Sequence, residues 1–478
     1  MTDPSNTWRS PLSERYASPA MLANFSERAK IRRWRRLWIE LARNERELGL
    51  AISAEQIAEL EAHVDEIDLA AAARYERELR HDVMAQIHAW GDLCPSARPI
   101  VHLGATSCFV TDNADLLAIR EGLELVRAKL VNVIAALAKF AREHKDLPTL
   151  GWTHLQPAQA TTVGKRATLW LQDLVHDLED LDHARATLRF RGVKGTTGTQ
   201  ASFLELFDGD HGKVRELDAR VTRAFGFERS FGVTGQTYPR QADFRVLQVL
   251  SSIAQSAHKF AVDLRLLASR KELEEPFESK QIGSSAMPWK RNPMRSERIC
   301  SLARYVIAGL DNAAHTAANQ WLERTLDDSA NRRLVIAESF LATDAILILQ
   351  LDVARGIVVR PHVVAKNLAA ELPFLASEHV MMAAVKAGAD RQDVHESIRR
   401  ASRTASEAIL AGGENPLREL LTRDPVLGRL ADHLDDLLDP SRFVGRAPEQ
   451  VEEFLAAEVD PILECNAHLL GEKAEVRV

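Results

Sequence analysis

The 478-residue sequence is poor in the features that mark several specialised classes. It has only four cysteines, Cys94, Cys108, Cys300 and Cys465, with neither paired nor metal-ligand spacing, which speaks against a disulfide framework or a zinc centre and fits a reducing cytoplasm. No apolar run approaches the ~18 to 20 residues needed to span a bilayer. Even the most apolar stretch, 345–351, is flanked by Asp344 and Asp352. The first ten residues lack the charged-then-apolar pattern of a secretory signal, so a soluble, unanchored protein is expected. Positive charge is not in surplus either: the net charge of -7 argues against general nucleic-acid binding. Strand-like alternation is scarce, and no internal repeat or long low-complexity tract occurs.

What is present is helical periodicity over an ample apolar content of 46%. From Leu116 through Ile119, Leu123, Val126, Leu130, Val133, Leu137 and Phe140, apolar residues recur at alternating spacings of three and four, the seam of a long bundle helix. Thr111-Asp112 is the expected N-cap of that helix. Further long helices are expected over 158–190, 241–267, 294–319 and 331–355, and shorter ones over 21–48 and 76–90. Beyond Val359-Arg360-Pro361 the pattern breaks into shorter pieces at Pro373, Gly388, Gly412-Gly413, Pro416, Pro425 and Pro440. The reading is all-α, in three parts: residues 1–111, a central long-helix bundle over 112–364, and a helical domain over 365–478.

Polar interruptions between these helices concentrate chemistry that a packed bundle does not need. Gly283-Ser284-Ser285-Ala286-Met287-Pro288-Trp289-Lys290-Arg291-Asn292-Pro293 has no apolar repeat, and its glycine and prolines forbid a continuous helix. A loop of this composition is able to close over an anion, supplying charge and a proton acceptor; a solvated basic connection is the plainer alternative for Lys290-Arg291 alone. Gly151-Trp152-Thr153-His154-Leu155-Gln156-Pro157 is a second interruption, with Pro157 expected to open the next helix. The glycine-rich run 192–199 lacks the spacing and preceding strand of a nucleoside triphosphate cradle. Arg80-His81-Asp82 lies in the expected helix 76–90 with His88 on the face of His81, and no further ligand at familiar spacing makes these histidines a metal site. Ser329 and Arg333, four apart, face one way and suit an oxyanion, though Arg324 to Arg333 also reads as a capped helix start.

The Ser284 string resembles the signature loop of the fumarase/aspartase superfamily, Ser-Ser-x-Met-Pro-x-Lys-x-Asn-Pro, and its Lys-Arg-Asn-Pro form is similar to that of the adenylosuccinate lyases. The likeness extends from about Arg15 to Arg446. It implies enzymes that cleave a C–N bond and release fumarate, as homotetramers on a twenty-helix central bundle whose sites draw on three subunits. Carried over by this resemblance, Ser284 is the general base, with Lys290 and Asn292 on a substrate carboxylate, and His154, in its Thr-His-x-Gln-Pro string, is the general acid. His81 orients substrate or assists proton transfer, beside Arg80 and Asp82. Thr106, Ser107 and Thr153 offer hydroxyls to the succinyl group, Gln236 matches the Thr-Gly-Gln-Thr site, and Arg15, Tyr16, Arg298, Arg324, Ser329 and Arg333 match nucleotide-contacting positions. Guanidiniums in that number suit a phosphate better than a plain amino acid. The implied elimination needs a base, an acid and a fixed positive environment for the dianionic carbanion, so neither cofactor nor metal is expected. Argininosuccinate lyases and carboxymuconate cycloisomerases share the loop and are the alternatives; a catalytically silent scaffold is disfavoured because His154, Ser284 and Lys290 are all intact.

Overall fold

A computed structural model describes residues 6–428, 430 and 434–477; the expected parts reaching residues 1 and 478 therefore extend outside the described residues. In the amino-terminal region a single-turn π-helix, Leu12–Tyr16, precedes α1 (Pro19–Asn24), α2 (Glu27–Glu47), α3 (Ala54–Ala62), α4 (Leu69–Leu79) and α5 (Asp82–Gly91). The helix expected over 21–48 is split, because Ser26 takes the N-cap position and its hydroxyl accepts the amide of Ala29. The helix expected over 76–90 is split too. Arg80 turns left-handed at φ 54°, and His81 becomes the N-cap of α5, so His81 and His88 do not share a helical face as the periodicity suggested.

The middle of the chain is built from α6 (Ser107–Glu143), α7 (Val163–Thr187), α10 (Gln241–Ser269), α11 (Met294–Ala318) and α12 (Asp327–Gly356), with α8 (Ala201–Leu206) and α9 (His211–Ala224) between them. The expected seam on α6 is buried from Leu116 to Phe140. The helix starts earlier than expected, with Thr106 at its N-cap, so Asp112 lies inside it and is free for another role. Helices α11 and α12 run antiparallel: Arg295 meets Asp352, and Asn331 meets Asn312 at the other end. Helix α12 is the one helix among the described residues long and apolar enough to cross a bilayer, but 72% of its apolar window is buried inside the protein, as in a core helix.

Residues 148–162, where the sequence suggested a helix from Ala158, form a hairpin of β1 (Pro148–Thr153) and β2 (Gln156–Thr162). Pro157 sits in β2 opposite Trp152 and does not start a helix; α7 is capped instead by Thr162, whose hydroxyl accepts the Lys165 amide at 3.0 Å. A second small sheet pairs β3 (Leu273–Glu274) with β4 (Val358–Val359). The carboxy-terminal part follows as α13 (Pro361–Leu375), α14 (Ser377–Lys386), α15 (Arg391–Leu410), α16 (Leu417–Arg423), α17 (Leu434–Leu437), α18 (Ala447–Phe454) and α19 (Asp460–Cys465). Pro373, expected to break a helix, lies within α13.

Apolar side chains gather in three clusters. The bundle helices share one with the last turns of the chain. Trp34, Trp38 and Trp90 join the start of α6 in a second. Helices α14 to α16 form a third. The all-α reading holds, with strands among the described residues confined to two short pairs.

Candidate active site

The expected site residues fall into two groups at opposite ends of the bundle. At one end lie the starts of α6, α10 and α12, tied by buried ion pairs. Arg240 donates Nε to Asp328 at 2.7 Å and both terminal nitrogens to Asp112 at 3.1 Å. Arg332 donates Nε to Asp243 at 2.7 Å and also reaches Asp115 and the Tyr238 hydroxyl. Burial alone would raise the Asp112 carboxyl, but the Arg240 and Arg332 guanidiniums outweigh it and hold it below the usual range. This network escaped the sequence reading: Asp112 passed for a cap, and nothing local marks Arg240 or Asp243 as partners of residues about 90 to 130 positions away.

On this ionic base sits the first group. His81 accepts the Met84 amide on Nδ1 at 3.3 Å, which places the proton of a neutral ring on Nε2. That nitrogen lies 3.4 Å from the Ser107 hydroxyl. Asp82 receives Arg333 NH2 at 2.8 Å, tying the start of α5 to α12. Gln236 is fixed through its backbone, its carbonyl accepting Arg191 Nε at 2.8 Å and its amide donating to the Glu323 carbonyl at 2.9 Å. Arg324 reaches Asp328 at 3.3 Å, and Ser329 occupies the first turn of α12, one turn before Arg333. Thr106 and exposed Arg80 flank this set through the N-cap of α6 and the C-cap of α4. The glycine-rich run 192–199 is not an anion cradle. The carbonyls of Gly192 and Gly195 point at the buried Arg191 guanidinium, and a Cβ on Gly198 would meet the Thr234 carbonyl at 1.8 Å.

The second group lies at the far end, where α10 finishes and α11 begins. The length of α10 separates the two ends by about 40 Å, farther than one nucleotide reaches. The Ser284 loop is an irregular segment, as expected. Its arms cross so closely that a Cβ on Gly283 would lie 2.1 Å from the Lys290 carbonyl, which is why glycine is needed there. Asn292 closes the loop by donating Nδ2 to the Gly283 carbonyl at 2.8 Å, so its amide serves the loop itself. The Ser284 hydroxyl accepts the Met287 amide at 3.2 Å, a contact that favours negative charge on that oxygen. Lys290 is exposed and Trp289 stands 80% in solvent.

His154 is also at this end. It and Leu155, at φ 54° and 55°, form the two-residue turn between Thr153 and Gln156, a left-handed pair that fits the twist of a hairpin. The hairpin is anchored by Arg270, stacked 4.0 Å over Trp152, and its tip, with His154 and Thr153, projects into solvent. Arg15, Tyr16 and Arg298 line a small cavity against the second half of α12, with Arg298 5.6 Å over the Tyr16 ring. Glu475, Val476 and Arg477 of the carboxy-terminal tail form its other wall. Among the described residues no cluster of His, Cys, Asp and Glu has the geometry of a metal site.

Comparison with known proteins gives this arrangement a context. Residues 15–308 match the family model described as lyase, and residues 373–454 match that of the adenylosuccinate lyase C-terminus. The chain is 53% identical over 463 residues to adenylosuccinate lyase of Saccharomyces cerevisiae, covering 96% of each. It is 50% identical to that of Schistosoma mansoni, covering 96% of this chain and 97% of the relative. In fold it is similar to the 3-carboxy-cis,cis-muconate lactonizing enzyme of Pseudomonas putida, with a TM-score of 0.81 at 24% identity, covering 92% of this chain and 97% of that one. A fumarate lyase of Mesorhizobium has a TM-score of 0.79 at 24% identity, covering 93% and 99%. The chain is therefore a lyase and belongs to the adenylosuccinate lyase family of the fumarase/aspartase superfamily.

Proposed function

We propose that the protein cleaves adenylosuccinate to AMP and fumarate, and the related succinylaminoimidazole-carboxamide ribonucleotide to its free carboxamide and fumarate, in purine nucleotide synthesis. The observation that carries this reading is the likeness, at 50% identity or more over nearly the whole chain, to proteins named adenylosuccinate lyase. Ser284 is the base: it takes the proton from the carbon beside a carboxylate, and the electron pair left there forms the C=C bond of fumarate as the C–N bond breaks. His154 is the acid that protonates the departing nitrogen. Lys290 and the loop amides stabilise the Ser284 alkoxide and the carbanion; Lys290 and the second Nδ2 hydrogen of Asn292, the first being given to Gly283, hold a substrate carboxylate, and the hydroxyls of Thr106, Ser107 and Thr153 serve the succinyl group.

His81 has the narrower role of hydrogen-bond donor through Nε2, because Nδ1 is occupied by the Met84 amide. Arg80, Asp82 and Gln236 hold the succinyl and base portions. Arg15, Tyr16, Arg298, Arg324, Ser329 and Arg333 hold the nucleotide and its 5′-phosphate. No cofactor takes part, and neither nucleic acid nor membrane is a partner.

With the two groups about 40 Å apart along α10, one chain does not complete a site. The working form is a homotetramer in which the hairpin and the Ser284 loop at each site come from subunits other than the one supplying His81. Val233, Trp321, Leu322 and Leu326 favour such an assembly, since they stand 69 to 98% exposed beside the first group. Residues 1–111, 112–364 and 365–478 are the domains of each subunit, and the compartment is the cytoplasm.

Incubation of the purified protein with adenylosuccinate, followed by absorbance and by AMP and fumarate assay, tests the activity. Absence of both products would refute it. Reassembly of inactive Ser284→Ala with inactive His154→Ala protein tests the sharing of sites, and partial recovery is expected.

A further inference from the structure

Arg324 is held from beneath. Its NH1 lies 3.3 Å from Asp328 Oδ2, one turn further on, and the same oxygen accepts Arg240 Nε at 2.7 Å. Arg240 and Asp328 are both shut off from solvent, at 1% and 0% side-chain exposure, whereas Arg324 is 23% exposed. Arg240 is itself clamped by the two oxygens of Asp112, which also accepts the amide of Tyr238, two residues after Gln236. The carboxylate of Asp328 is thus fixed to the start of α6 and to the segment carrying Gln236. Its second oxygen, Oδ1, is buried without a partner.

We propose that Asp328, locked by Arg240, is a positioning residue for Arg324 and thereby sets the affinity for the anionic part of the substrate. The inference rests on the assignment of Arg324 to substrate made above. A guanidinium carries five N–H donors in a planar fork. Asp328 engages one terminal nitrogen, leaving NH2 and Nε for a ligand while removing the rotations that would blur their direction. An unanchored arginine must be ordered when the ligand binds, which weakens binding. Asp328 and Arg240 act through Arg324 and do not touch the substrate.

Steady-state kinetics of the intact enzyme with adenylosuccinate test this in wild type, Asp328→Asn, Arg324→Ala and the double variant. Asparagine keeps the shape, and its carbonyl oxygen can stand where Oδ2 stood, but it removes the negative charge that makes both arginine contacts strong and directional. We expect KM to rise on the order of fivefold to tenfold with kcat changed less than about threefold. The double variant should have the KM of Arg324→Ala alone, because the positioning has nothing left to act on. A purely structural role would lower the melting temperature and the active fraction while leaving KM where it was. An unchanged KM in Asp328→Asn, or KM effects that multiply in the double variant, overturns the proposal. If Arg324→Ala leaves KM unchanged, the substrate assignment itself fails, and the positioning role falls with it. Arg240→Lys keeps a cation but loses the planar clamp, and it carries the same test, with a smaller KM rise expected, should Asp328→Asn not fold.

Discussion

Arg333 and Asp82, 251 residues apart in the chain, meet at 2.8 Å between NH2 and Oδ2. The contact joins the first turns of α12 to the start of α5, yet Arg333 is 64% exposed. An ion pair in that setting adds about 0 to 1 kcal/mol to stability. Arg333→Ala should therefore move the thermal midpoint little while raising KM for adenylosuccinate on the order of tenfold or more, as expected for loss of a charge-assisted contact to an anion. A large fall in melting temperature with unchanged KM would contradict this.

Arg332, the next residue back, should behave in the opposite way. Its guanidinium is buried between Asp243, Asp115 and Tyr238. Although burial disfavours its charge, Asp243, Tyr238 and Asp115 outweigh that and push its pKa well above the ordinary value. Arg332→Leu leaves Asp243 buried and unpaired, at a cost of about 3 to 5 kcal/mol. Chemical denaturation of the two variants side by side measures the contrast.

At the turn of His154 and Leu155, the acid role proposed for His154 and the backbone cost carried by Leu155 should be separable by substitution. Leu155, at φ 55° and 67% exposed, holds a left-handed conformation that costs a non-glycine residue about 1 kcal/mol. Leu155→Gly should thus be neutral to slightly stabilising. His154→Ala should leave the melting curve unchanged and reduce kcat by about 10² to 10⁴, the range for loss of a general acid.

Glu45 provides a pH signature. Its side chain is fully buried on α2, neither carboxylate oxygen has a partner, and burial pushes its pKa up to about 9. A folded pKa raised above the unfolded value means a contribution that is most favourable below about pH 4.5 and is lost as pH rises toward 9. Glu45→Gln should therefore gain stability over wild type as pH rises, by about 3 kcal/mol between pH 4.5 and pH 7. Unfolding midpoints of both proteins between pH 5 and 9 give the difference; a flat difference would refute the buried, unpaired state.

Much of this molecule was legible from local pattern. The seam from Leu116 to Phe140 predicts a buried face because helical period and apolar spacing are properties of the chain alone, and α6 buries that face. The Ser284 string predicts a loop because glycine and proline act on their own backbone, and no helix forms there. Its resemblance to a lyase signature led to the family that the comparisons establish. Misreadings arose where a residue's conformation depends on a distant partner. Residues 158–162 become a strand because 148–150 pair with 160–162, a cross-strand choice that weak helical periodicity does not register. Asp112 reads as a cap until Arg240 is brought to it.

The order of residues along the chain thus determined the long bundle helices and the irregular Ser284 loop, since propensity, periodicity and turn chemistry act over a few neighbours. Folding alone decided that Asp112, Arg240, Asp328 and Arg332 form one buried network. It also decided that His81 presents Nε2 and that the two sets of expected site residues stand at opposite ends of α10. Ion pairs and hydrogen bonds depend on distances that packing of long helices creates, and those distances have no imprint in local sequence.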